Sequence, residues 1–298
     1  MSQTISVVIP AKNESRPLAA FLPKLKMISC VDEIIVVNDG STDDTEQVCL
    51  DAGVRVISHQ YSKGNGAAIK SGARAAKSDI IVFMDGDGQH DPEDIPRLLL
   101  KLEEGYDMVV GARSDRSDQA SLGRFAANSL YNTLASRMVG HKVEDLTSGF
   151  RIVKARLFRE FLTLLPNGFS YPTTITMSFF RAGYTVGYLP IQVAKREGKS
   201  HIRPLHDGVR FLLIIFKIAT LYSPLKLFVP ISFGFFVLGA GYYGYTLVEM
   251  GRFTNMSALL FITSILVFLI GLISEQITSL VFMNASSGDD KDSPTGKN

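Results

Sequence analysis

The chain has 298 residues, a net charge of +2 and two cysteines, Cys30 and Cys49. That length allows one large or two modest domains, and the near-neutral balance excludes a polyanion as the partner of the chain as a whole. Two cysteines in apolar or helical settings support neither a disulfide framework nor a zinc site, so a reducing compartment is the default.

The start, MSQTISVVIPAK, lacks a basic stretch and a long apolar core, so it reads as a first strand and not as a signal peptide. ISVVIP is that strand, and SRPLAAFLPKLKMI is a helix with Ser15 as its cap and Pro17 near the first turn. DEIIVVND is a strand. STDDTEQVCLDAG is a helix in which Ser41 and Asp44 resemble a capping box. VRVISH is a strand, GNGAAIKSGARAAKS a helix and DIIVFMD a strand, and YDMVVGAR follows after one more helix. Alternation of this kind, with unbroken apolar strands, implies an α/β fold with a mostly parallel sheet covered on both faces. Ligands in such sheets bind beyond the carboxyl ends of the strands. Pro10 to Glu14, Asp39 and Asp85-Gly86-Asp87 all fall at those ends.

The fourth strand opens into five acids, Asp85, Asp87, Asp91, Glu93 and Asp94. Asp91 reads as an N-cap followed by Pro92 at the first helical position, with acids against the positive end of the helix dipole. Asp85 and Asp87 need another reason. Residues two apart on a strand share a face, and Gly86 and Gly88 let backbone turn closely around a ligand. Two carboxylates with the Gln89 amide nearby suit a hard divalent ion, Mg2+ or Mn2+. His90, beside them, is either close to that ion or a solvated loop histidine. No G-x-G-x-x-G follows the first strand, and neither a P-loop nor a G-x-S-x-G elbow occurs, which argues against a Rossmann site, an NTPase and a serine hydrolase.

Composition changes near Leu205. Leu227 to Val248 carries no charge and Ala258 to Met283 carries only Glu275. Each run is long enough for the roughly 20 residues that cross a bilayer, and neither has a polar stripe. Two membrane spans, 225–250 and 257–284, are expected as an antiparallel hairpin. Lys195, Arg196, Lys199, Arg203, Arg210, Lys217 and Lys226 precede it, against Arg252 in its connector, which places the N-terminal domain in the cytoplasm. Between domain and hairpin, 204–224 reads as an amphipathic interface helix, and 285–298 as a disordered tail. Gly234, Gly239 and Gly244 invite self-association of the hairpin into a homo-oligomer.

In this order, VVIPAKNES, VVNDGSTDDT, FMDGDGQHDPEDI, GAR, DLTSGFR and LPIQVAKREGKS resemble a family 2 glycosyltransferase with the GT-A fold. Within that family they are most similar to polyprenyl-phosphate glycosyltransferases, the group of dolichyl-phosphate mannose synthase and its undecaprenyl-phosphate relatives. The resemblance implies a cytoplasmic GT-A nucleotide-sugar-binding domain over 1–203. It implies that Pro10, Lys12 and Glu14 border the base, that Asp39 meets base or ribose, and that Lys63 joins the nucleotide-sugar set. Asp85, Asp87 and Gln89 match the metal-binding D-x-D-x-Q, with Asp85 close to ribose or metal. Arg113, Ser148, Arg151 and Arg196 would hold the acceptor phosphate, with Asp145 orienting one of these arginines or acting as a base. Related enzymes place an acid near GFSYPTTITMSF, where this chain has Pro172, Thr173 and Thr174. A lipid phosphate, ionised near neutral pH, needs no such base. The implied reaction is inverting transfer of a hexose from a UDP- or GDP-sugar to undecaprenyl or dolichyl phosphate. The alternatives are another lipid acceptor, such as diacylglycerol, or a membrane-anchored nucleotide-sugar-binding regulator.

Overall fold

The computed structural model describes residues 3–113, 122–168, 171–194, 216, 220 and 222–286. Arg196, nearly all of the expected interface helix 204–224, and residues 287–298 lie outside that set. The chain divides into two compact units, one containing Met1–Ser200 and the other His201–Ser287.

The N-terminal unit alternates strand and helix. It runs β1 (Ile5–Ala11), α1 (Ser15–Leu25), β2 (Glu33–Asn38), α2 (Thr45–Asp51), β3 (Arg55–Ser58), α3 (Asn65–Ala75) and β4 (Ile80–Phe83). There follow α4 (Asp94–Glu103), β5 (Met108–Arg113), α5 (Leu122–Val139), β6 (Arg151–Lys154), α6 (Ala155–Glu160), α7 (Tyr171–Arg181) and β7 (Val186–Ile191). The strands form one seven-stranded sheet in the order β3-β2-β1-β4-β6-β5-β7. Every pairing is parallel except those of β6, which runs antiparallel to both β4 and β5.

The unbroken apolar strands are explained by burial on both faces. Ile5, Val7 and Ile9 of β1 join Val36, Val82, Leu22 and Leu98 in one core. Val8 faces the other way, onto α3, and there Gly72 makes the contact possible: a Cβ would sit 2.2 Å from a Val8 methyl carbon. The reversal of β6 matters most for function. Its first residue, Arg151, pairs with the last residue of β4, Phe83. The loop that precedes β6 therefore reaches the same sheet edge as the carboxyl ends of β1, β2 and β4.

Three helix starts differ from expectation. Ser15, expected as the cap of α1, is its first helical residue, and Glu14 occupies the cap position. At α2 the cap is supplied by Asp43, whose Oδ1 accepts the Thr45 N–H at 3.1 Å, while Ser41 accepts the Asn13 N–H at 3.0 Å. Before α4, Asp91 accepts the Glu93 N–H at 3.1 Å in a tight turn, and the helix proper begins only at Asp94.

The C-terminal unit holds two long helices, α8 (Pro224–Met250) and α9 (Asn255–Ser286), so the last helix continues two residues into the expected tail. Both are long and apolar enough to cross a membrane. Gly251, in the left-handed region at φ 63°, ends α8 and turns the chain back. The two helices are pinned by a reciprocal pair: Ser232 Oγ donates to the Ser264 carbonyl at 2.9 Å, and Ser264 Oγ donates to the Ser232 carbonyl at 2.8 Å. Gly239 packs against Leu260 and Phe261 inside this seam and is thus not on an outer face, whereas a Cβ at Gly234 or Gly244 would meet no described atom within 4 Å.

Candidate active site

A cavity of about 350 Å³ opens at the carboxyl edge of the sheet. Pro10, Lys12, Glu14, Asp39, Asp85 and Asp87 all line it, as the strand-end argument expects. Ser62, Gly64 and Asn65, which sequence reasoning did not single out as site residues, complete one side. The loop after β1 is held open by Asn13, whose φ of 57° is left-handed and whose Oδ1 accepts the Thr42 N–H at 2.8 Å. Lys12 reaches across the cavity mouth to donate to Ser62 Oγ at 3.0 Å.

Asp39 lines the cavity and is itself surrounded by protein donors. Its Oδ1 accepts from His59 Nδ1 at 2.7 Å and the Lys63 N–H at 2.8 Å, and its Oδ2 accepts from Ser62 Oγ and the Gly64 N–H, both at 2.8 Å. A carboxylate offers about four lone-pair positions, and all are filled. In this conformation Asp39 organises the 62–64 loop and has no acceptor left for a base or ribose. Burial works to raise its pKa, but the donors, His59 foremost, overcome that and bring it down to about 2. Lys63 enters the site through its backbone; its side chain is exposed, with Nζ 5.6 Å from the centre of the Tyr61 ring.

Asp85 and Asp87 share the cavity, with Asp85 about one-third exposed. The Asp85 carboxylate rests against Gly149, where a Cβ would lie 2.3 Å from Oδ2, so only glycine leaves the carboxylate its place. His90 is buried and not solvated: its ring stacks on Phe150 at 5.0 Å, and Nε2 lies 3.6 Å from Asp85 Oδ2. Gln89 donates its side-chain N–H to the Ala194 carbonyl at 3.1 Å and its backbone N–H to Asp87 Oδ1 at 3.2 Å. The hard oxygens of Asp85 and Asp87 fit Mg2+ or Mn2+. Among the described residues no group of three or more His, Cys, Asp or Glu is placed to hold a metal. The protein's share of such a site is therefore partial, as in sites that substrate phosphates and water complete.

A second, smaller cavity of about 70 Å³ shares Asn65 and Asp85 with the first. Its other walls are Thr147, Gly149, Tyr171, Pro172 and Thr173, drawn from the loop before β6 and the first turn of α7. Asn132 of α5 holds this loop from behind, accepting the Leu146 N–H at 3.1 Å and donating to the Glu144 carbonyl at 2.7 Å. Beside it, Arg113 grips Asp145 with two prongs: Nε to Oδ2 at 2.7 Å and Nη2 to Oδ1 at 2.9 Å. Asp145 also caps the loop, accepting the N–H groups of Thr147 and Ser148. Burial opposes the Asp145 charge, yet the Arg113 guanidinium and these N–H donors hold its pKa below the usual range, so it is a poor proton acceptor. Its two oxygens hold the Arg113 guanidinium in a fixed orientation.

Two residues expected at the acceptor phosphate are placed elsewhere. Ser148 is buried, and its hydroxyl accepts the Phe150 N–H at 3.3 Å. Arg151 is 0% exposed and its guanidinium donates to the Ser148 and Pro172 carbonyls and to Thr176 Oγ1. Arg151 turns inward at the amino end of β6, and Ser148 does so in the loop before it. Thr147 and Gly149 are the members of this motif that reach the small cavity, and only the loop's path could have revealed them.

A mixed α/β sheet with a carboxylate pair beyond its strand ends is the arrangement of GT-A glycosyltransferases. Residues 6–162, more than half of the chain, match the family described as Glycosyl transferase family 2, and the chain belongs to that family. Residues 223–280 match a GtrB C-terminal hairpin. The chain is 26% identical over 290 residues to the glycosyltransferase AglJ of Haloferax volcanii, covering 93% of this chain and 94% of that one. It is 31% identical over 259 residues to an undecaprenyl-phosphate 4-deoxy-4-formamido-L-arabinose transferase of Pseudomonas savastanoi, covering 79% of this chain and 71% of that one. Glucosyl-3-phosphoglycerate synthase from Mycobacterium tuberculosis, solved with Mn2+, UDP and glucosyl-3-phosphoglycerate, superposes with a TM-score of 0.57 at 26% identity. That likeness covers 73% of this chain and 78% of the solved one.

Proposed function

We propose that this glycosyltransferase moves a hexose, with inversion, from a nucleoside-diphosphate sugar to a polyprenyl phosphate at the cytoplasmic membrane face. The observation that carries the reading is the small cavity beside Asp85, where the lining holds no acid other than Asp85 itself among the described residues. A hydroxyl acceptor needs a general base there; a phosphate monoester brings its own negative oxygen. The undecaprenyl-phosphate transferase relative and the paired apolar helices agree with a lipid acceptor.

In this reading the larger cavity takes the nucleotide. Pro10, Lys12 and Glu14 border it, and Asp39, through Ser62 and the backbone of Lys63 and Gly64, sets its far wall. Asp85, Asp87 and Gln89 would hold Mg2+ or Mn2+, which as a Lewis acid neutralises the charge that develops on the departing diphosphate. The Mn2+ and UDP bound to the mycobacterial neighbour support that choice. Arg113, pre-oriented by Asp145, offers a fixed guanidinium to the attacking phosphate, and Arg196 is the second cation assigned to it. A catalytic domain over 1–203, an interface helix over 204–224 and spans at 225–250 and 257–284 complete the proposed organisation.

The test is transfer from labelled UDP- and GDP-hexoses to undecaprenyl and dolichyl phosphate, with Mg2+ or Mn2+, beside an Asp87→Ala control. An acid-labile glycolipid that needs the metal and vanishes in the control supports the reading. Donor binding without glycolipid from any donor would overturn it.

A further inference from the structure

Arg151 is the bulkiest fully buried side chain among the described residues. An enclosed charge is costly unless it is paired or well hydrogen-bonded, and no described carboxylate lies within ion-pair distance of this one. Burial accordingly pushes its pKa down. What surrounds the guanidinium is a set of acceptors from two separate segments. Nη2 donates to the Ser148 carbonyl, and Nη1 donates to the Pro172 carbonyl and to Thr176 Oγ1, each at 3.1 Å. The guanidinium carbon stands 5.7 Å from the centre of the Tyr171 ring. Tyr171 in turn donates its hydroxyl to the Gly149 carbonyl at 3.1 Å.

These bonds join the loop before β6 to the first turn of α7. The same two segments supply Thr147, Gly149, Tyr171, Pro172 and Thr173, all the walls of the small cavity apart from Asn65 and Asp85. Gly149 is also the surface on which the Asp85 carboxylate rests. We infer that Arg151 is a positioning residue: its guanidinium clamps Ser148 to the start of α7 while the Tyr171 ring beneath it holds Gly149, which seats Asp85 and shapes the cavity beside it. The clamp calls for arginine, because a planar fork reaches carbonyls on both segments at once and an ammonium does not. A direct bond from Arg151 to an acceptor phosphate would require the loop and helix to part.

The inference rests on the glycosyltransferase reading above, and its test separates the two. The full chain in nanodiscs is compared as wild type, Arg151→Lys, Arg151→Met and Tyr171→Phe. Tyr171→Phe removes one hydroxyl and no charge, so it reports even if Arg151→Met does not fold. Calorimetry of Mn2+–UDP binding and kinetics of transfer to undecaprenyl phosphate are the two measurements. Loosening the support behind a metal-binding carboxylate weakens metal affinity by about tenfold or more. The expected result is Mn2+–UDP binding about tenfold weaker in Arg151→Lys and at least about threefold weaker in Tyr171→Phe, on the same basis. kcat falls in parallel, while KM for undecaprenyl phosphate stays within about twofold, because uniform acceptor binding is untouched. A rise of about tenfold or more in that KM with Mn2+–UDP binding unchanged would make Arg151 a phosphate ligand and overturn the clamp. Unchanged binding and kinetics in both Arg151→Lys and Tyr171→Phe would overturn it as well. A wild type that gives no glycolipid defeats the proposed reaction alone, since weakened Mn2+–UDP binding in the variants would still support the clamp.

Discussion

The two sides of the site are built on opposite plans. On the β1–β4 side the polar motifs follow parallel strands, and their residues emerge into a solvent-facing cavity. On the β5–β6 side the motif precedes an antiparallel strand, so Ser148 and Arg151 turn into the protein and bind backbone. The first side presents its polar side chains to the larger cavity; on the second, buried side chains support the loop whose Thr147 and Gly149 line the smaller one. Asp39 shows that the division is not absolute. It lies on the first side, yet all its hydrogen bonds go to neighbouring protein groups. Polar residues at a sheet edge are thus of two kinds, and accessible lone pairs separate them better than position does.

Substitutions can sharpen or break this contrast. The largest effect is expected for Asp87→Ala, which removes a cavity carboxylate and should cut transfer by roughly 10²–10³-fold at unchanged melting temperature. Gly149→Ala comes next. Its methyl group would overlap the Asp85 carboxylate, and a displacement near 1 Å can cost about 10²-fold in kcat. A Gly149→Ala enzyme with full activity would show that the loop is not support. Arg113→Lys should raise KM for the lipid phosphate by about tenfold, because an ammonium cannot keep the two-pronged grip on Asp145. Asp39→Asn should raise donor KM by a smaller factor, with an acid-dependent signature. The folded pKa of about 2 lies below the unfolded value, so this carboxylate's stabilisation is complete above the unfolded pKa. It is lost as pH falls through about 2. Melting scans from pH 5 downward should therefore decline more steeply for the wild type than for Asp39→Asn. Lys63→Ala, at the small end, should leave donor KM within about twofold, since surface substitutions rarely matter more.

The parallel strands, the helices between them and the cavity's acidic lip were legible from local pattern. Apolar runs ending in Pro10, Asp39 and Asp85 carry that information in consecutive residues. The direction of β6 was not, because RIVK looks the same whichever way it runs, and only its pairing with Ile80–Phe83 decides. Everything that hangs on that pairing was equally hidden: the burial of Arg151, the inward hydroxyl of Ser148, and His90 stacked on Phe150. The filling of Asp39 depends on residues 20 to 25 positions downstream, beyond the reach of any local motif. The lone-glycine signal of Gly149 was present, but without Asp85 beside it there was no way to read its purpose.

The crossed hydroxyls of Ser232 and Ser264 bear on the mechanics of the apolar hairpin. Sliding one helix along the other by a single turn, about 5.4 Å, would break both bonds together. Hydrocarbon has no water to replace them. The serine pair therefore fixes the register of the two helices against each other.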